Sequence, residues 1–156
     1  MPAIVRKTVR GAALICIAAA FAVADAHDDV VEVVTTMAGA LSETGDPAVT
    51  RTANVSKFMS AFSKDLPDYD TLEKNVTALV NTADVSSSIL PLTEDGSDQM
   101  YKIDLDWLLE IRSLEPDGPL VRRREVVHCE LRKEKKKWKV VALKPIEFFA
   151  AANLGK

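Results

Sequence analysis

Histidine and cysteine are nearly missing from this chain. His27 and His128 are its two histidines, Cys16 and Cys129 its two cysteines, and no C-x-x-C or H-x-x-x-H spacing occurs. A zinc site therefore has almost no ligands to draw on, and neither a metal nor a cofactor is expected. A nucleophile-elbow motif is lacking too, which removes the basis for a Ser-His-Asp hydrolase. The apolar run Gly11–Ala24 is shorter than the ~20 residues that cross a bilayer. Basic excess is also missing: 20 Lys and Arg stand against 23 Asp and Glu, a net charge of −3, which disfavours nucleic acid or an anionic membrane as partner.

What is present begins with an export pattern. Arg6, Lys7 and Arg10 precede Gly11–Ala24, and Ala24-Asp25-Ala26 supplies an A-x-A site, the order of a secretory signal over residues 1–26. Cleavage is expected before His27, giving a periplasmic or secreted protein with no stable membrane insertion. Ile15 before Cys16 argues against a lipid anchor. Residues 27–149 then form one domain, and 150–156 a tail expected to fray. The leader takes three basic residues and one acidic residue from the totals, leaving 17 against 22 and a formal charge of −5. Cys16 leaves with it, so Cys129 has no intramolecular partner for a disulfide.

The chain after the leader divides into a helical half and a stranded half. Val30, Val33, Val34, Met37, Ala38 and Leu41 fall on one helical face, with Asp29 and Glu32 as a capping pair and Gly45 and Pro47 at the far end. A second helix, capped at Asp46-Pro47, carries Val55, Phe58, Met59 and Phe62 and stops at Leu66-Pro67. A third starts near Asp68 or Asp70 and lines up Tyr69, Leu72, Val76, Leu79, Val80 and Ala83. After Asp84 the period changes to two. Strands are expected over 85–92, 100–113, 120–132 and 138–143, with turns at Asp95-Gly96 and Pro116-Asp117-Gly118-Pro119. Three helices before a meander of long strands give an α+β fold, the helices packed on one face of a curved antiparallel sheet of about four strands.

This order, the Lys-rich hairpin into Lys137-Trp138-Lys139-Val140-Val141-Ala142-Leu143 and the trailing Phe148-Phe149 resemble the nuclear transport factor 2-like superfamily, also called SnoaL-like or cystatin-like, over residues ~28 to ~149. The resemblance implies a cone whose bent sheet wraps a helix and leaves a pocket at the wide end. It also implies that enzymes, binding proteins and assembly domains share the fold. In ketosteroid isomerase-like members a pocket Asp is the base and a Tyr with a protonated Asp forms the oxyanion hole. Only Tyr69 is placed for such a role here, and Tyr69, Asp70 and Glu125 are the catalytic candidates. With the hairpin turn centred near Asp117, Leu109 faces Glu125, Ile111 faces Arg123 and Trp107 faces Val127. Arg123 and Glu125 then join Trp107, Tyr69, Phe58, Met59 and Phe62 as candidates for lining a pocket that takes a small apolar or amphipathic ligand.

Other features have simpler readings. In that register His128 faces Asp106 on the outer face, where Asp104 and Asp106 are solvated. Cys129 is a buried small hydrophobe. Arg132–Lys137 is a charged hairpin tip, and the sequons at Asn54 and Asn75 lie within helices. Leu108 and Val126 are expected opposite each other on the outer face and, with His128, are the interface candidates for a homodimer. The function expected is a non-catalytic small-molecule-binding or assembly domain. An isomerase, dehydratase or cyclase using acid-base chemistry and a structural module dimerising through the sheet face are the alternatives.

Overall fold

Six alanines and no proline or glycine between Ile15 and Ala26 favour helix. In the computed structural model, which describes residues 15–42 and 47–154, helix α1 runs unbroken over Ile15–Ala40. In the full chain the helix thus begins well before the expected start at Val30, and Asp29 and Glu32 are exposed mid-helix residues rather than caps as long as residues 15–26 are attached. Arg6, Lys7, Arg10, Gly45 and Asp46 lie outside the described residues. Among those described, no helix is long and apolar enough to cross a membrane.

Helix α2 spans Pro47–Met59 and α3 spans Tyr69–Thr82. The α3 stripe is as the periodicity requires, with Leu72, Val76, Leu79 and Val80 buried. Two ends differ from expectation. Phe62 lies beyond α2, where the chain turns extended and pairs with Val140: the Val140 amide donates to the Ala61 carbonyl and the Ser63 amide to the Val140 carbonyl, both at 2.9 Å. Ala83 is not the last helical position but the buried first residue of β1.

Strands β1 (Ala83–Gly96), β2 (Met100–Ser113), β3 (Leu120–Glu134) and β4 (Lys137–Lys144) form one antiparallel sheet in sequence order, followed by a 3-10 turn at Ile146–Phe149. Inward residues of β2 and β3, from Tyr101 to Ile111 and from Val127 to Leu131, are buried under the helices. β1 is longer than expected and carries a bulge between Pro91 and Thr93, where proline cannot donate to the ladder.

The β2/β3 register differs by two residues from expectation: Leu109 faces Arg123, Trp107 faces Glu125 and Leu105 faces Val127. Asp117 adopts a left-handed φ of 59° and the Ser113 amide donates to the Pro119 carbonyl at 3.0 Å, which centres the loop on Pro116 instead of Asp117. A slip of two preserves which side chains face inward, so the assignment of faces is unaffected.

Candidate functional site

The space between the helices and the sheet is the place where a cone-shaped fold would hold a ligand, and here it is occupied by aromatic rings. Phe58, Trp107 and Phe149 are fully buried, and Phe62 and Phe148 are nearly so. Trp107 meets Phe149 edge-on with centroids 4.9 Å apart, Phe149 meets Phe148 at 5.1 Å, and Phe58 bridges Phe149 at 5.5 Å and Phe62 at 5.1 Å. Such tilted and edge-on contacts are the favoured geometries for aromatic pairs. The Trp107 indole N–H donates to Ser87 Oγ at 2.8 Å, so even the polar atom at the centre is satisfied.

Arg123, half-buried beside this cluster, faces the chain rather than a cavity. Its guanidinium donates to the carbonyls of Phe148 at 3.0 Å, Ala151 at 3.1 Å and Ala150. Burial draws its pKa down from the usual arginine value. The tail expected to fray after Phe149 is instead pinned through residue 151, and Ala152 and Leu154 pack against the core.

The remaining candidates are scattered. Met59, Phe62 and Tyr69 line a surface groove of about 570 Å³ with Ser63, Glu134 and Lys139. Arg123 and Glu125 line another, of about 480 Å³, with Glu147 and Phe148. Glu125 is exposed although it faces Trp107 across the strands. Asp70 is exposed in the first turn of α3, and the Tyr69 hydroxyl accepts a hydrogen bond from Lys64 Nζ at 2.7 Å. Tyr69 and Asp70 are thus not brought together with Glu125, and no base beside an oxyanion donor is assembled from the three. A third groove of about 330 Å³ runs between α1, α2 and the start of β4, past Val33, Met37, Lys57, Lys136 and Trp138. Sequence reasoning did not find it, because its walls come from three elements far apart in the chain.

Cys129 is buried, and desolvation pushes its thiol up to about 12, which removes it as a nucleophile. On the outer face His128 Nδ1 meets Asp104 Oδ1 at 2.6 Å, correcting the expected Asp106 partner, and Asp106 is bound by Arg124 with Nε at 2.9 Å and a terminal nitrogen at 2.5 Å. The Thr93 hydroxyl first, then His128, holds the Asp104 carboxyl below the usual range, and Arg124 does the same for Asp106. Both carboxyls take up protons near the ordinary ~3.9 when unfolded and only at lower pH when folded. Their contribution is therefore complete above that value and is lost as pH falls through the folded pKa. Asp106→Asn is expected to flatten the fall of the urea midpoint below about pH 4, measured by circular dichroism; an unchanged acid limb would refute a role for this pair.

No family model and no curated protein matches the chain. Solved structures do. One described as nuclear transport factor 2-like with a cystatin-like fold, from Novosphingobium aromaticivorans, superposes with a TM-score of 0.56 at 8% identity, covering 83% of this chain and 86% of its own. The fold is nuclear transport factor 2-like. A candidate scytalone dehydratase from Novosphingobium aromaticivorans has a TM-score of 0.64 at 12% identity over 80% of this chain and 85% of its own. A candidate calcium/calmodulin dependent protein kinase II association domain from Xanthomonas campestris has 0.56 at 14% over 73% and 81%. The nuclear transport factor 2-like fold thus spans proteins named for catalysis and for association, and choosing between them falls to the side chains.

Proposed function

We propose that this is an exported, non-catalytic assembly domain that dimerises through the outer face of its sheet. The observation that carries the reading is the aromatic packing of the interior, where Trp107 meets Phe149 and Phe149 meets Phe148 edge-on and Phe58 is fully buried, in the place where the resemblance implies a ligand pocket. The outer face supplies the contact. Three charge pairs span β2 and β3 on it, Arg122 with Glu110 at 2.7 Å, Arg124 with Asp106 at 2.5 Å and Lys102 with Glu130 at 3.4 Å, while Arg112 is exposed toward the Pro116 end. Leu90, Asp106 and Val126 form one row across three strands, with Leu108 diagonal to Val126 rather than opposite it as expected. Leu90 and Val126 are 59% and 39% exposed, an apolar surface that a second copy would cover with little charge left unpaired. A similar fold named for association supports this use of the scaffold. Export rests on the basic and apolar order of residues 1–26.

Sedimentation velocity is expected to show a dimer whose Kd rises at least tenfold in Leu108→Lys, with the far-ultraviolet spectrum unchanged. A monomeric wild type, or a dimer indifferent to Leu108→Lys and Val126→Lys alike, overturns the proposal.

A further inference from the structure

At the opposite end of β2 from the Pro116 loop, three side chains from three elements converge. His27 Nδ1, on α1, lies 2.8 Å from Glu94 Oε2 and 3.3 Å from the Tyr101 hydroxyl, and that hydroxyl donates to the same Glu94 oxygen at 3.2 Å. The β1 bulge creates the cluster: on either side of it Leu90 pairs with Asp106 on the outer face, whereas Glu94 pairs with Ile103 and turns inward toward α1. Tyr101 is buried and fixed edge-on against Trp138 with centroids 6.2 Å apart, so the Glu94 carboxylate has a rigid support. His27 and Glu94 remain 42% and 40% exposed, open to an ion from solution.

We propose that the exported chain, once its leader is removed before His27, binds one Cu(II) ion through the new α-amine and Nδ1 of His27 together with the carboxylate of Glu94. This rests on the cleavage reading. In the unprocessed chain the His27 nitrogen is a helix amide within α1 and has no lone pair to give. Cleavage converts it to a primary amine, which closes a six-membered chelate ring with Nδ1 of the same residue. Two nitrogens and one oxygen with a tetragonal preference suit Cu(II), the tightest binder among the divalent first-row ions. Donors about 2.0 Å from a metal and at right angles stand about 2.8 Å apart, the spacing of Nδ1 and Oε2. Tyr101 acts as a positioning residue. Its hydroxyl donates to Glu94 Oε2 at 3.2 Å and so holds the carboxylate that faces the ion.

The test expresses the full chain in an exporting host and recovers the processed protein, whose intact mass gives the N-terminus. Cu(II) alone is then added, followed by electron paramagnetic resonance and competition against a chelator. One ion per chain with coupling to two nitrogens is expected, lost in His27→Ala and weakened at least tenfold in Glu94→Gln. Tyr101→Phe, which keeps the ring, is expected to weaken binding several-fold, and the unprocessed chain at least 100-fold. A mass that does not start at His27 overturns the cleavage reading and the site with it. A correct N-terminus whose copper affinity is unchanged by Glu94→Gln, or equal in the unprocessed chain, overturns the site alone.

Discussion

Replacing Trp107 with alanine is expected to lower stability by about 3–5 kcal/mol, the range for truncating a large buried aromatic. The side chain is fully buried, packs edge-on against Phe149 and lies 6.2 Å from Phe148. Its loss opens a cavity that stiff neighbours cannot fill, and it strands the Ser87 hydroxyl that accepts its N–H. Urea unfolding checks this through the midpoint, with the slope unchanged. A loss below about 1 kcal/mol would mean that the interior relaxes around the gap and is not rigidly filled. Trp107→Phe, which keeps a ring but removes the donor, should cost markedly less. The same variants bear on function: a probe dye that enters Trp107→Ala but not wild type would show that packing alone closes the interior.

Arg123→Gln is expected to cost about 2–3 kcal/mol, less than the sum of its three bonds because hydrogen bonds to a charged group, each worth about 1.5–3 kcal/mol, are not additive when they share a donor. The carbonyls of Phe148, Ala150 and Ala151 lose a common partner, and the segment that holds Phe148 and Phe149 in place loosens. Hydrogen exchange should rise selectively at residues 146–152, with β2 and β3 little changed. Uniform loss of protection, or none, would contradict a local clamp. Lysine cannot substitute, since a single ammonium does not span three carbonyls as a planar guanidinium does.

The fold was readable where one physical pattern governs. Period-two alternation placed Trp107, Leu109 and Ile111 inside, and the 3.6 stripe placed Leu72, Val76 and Leu79. It failed where local signals competed. Asp29 and Glu32 read as a cap, but the Ala-rich stretch before them continues the helix. The four turn-forming residues after Glu115 could not say where the loop centres, hence the two-residue slip. The site was harder because strand pairing does not tell how far the helices extend over the sheet. Arg123 and Glu125 were correctly on the inner face, yet Arg123 meets the C-terminal carbonyls and Glu125 meets solvent. Ser87 as the indole's acceptor was available from the alternation of Val85, Ser87 and Ile89. The approach of His27 to Glu94 was not, since it depends on a bulge that reverses the alternation after Pro91.

The two rims of the sheet are unequal. Ala61–Ser63 lies along β4 and takes up its free hydrogen bonds at Val140, whereas β1 has no further strand beside it among the described residues. A long bare rim of that kind is a template on which another chain can extend the sheet and propagate into fibres. The irregularity at Pro91–Thr93 interrupts it near the middle, so neither remaining stretch offers a continuous ladder to a newcomer. An interrupted rim of this kind disfavours open-ended stacking, and the proposed contact between sheet faces, which closes at two copies, leaves the rim unused.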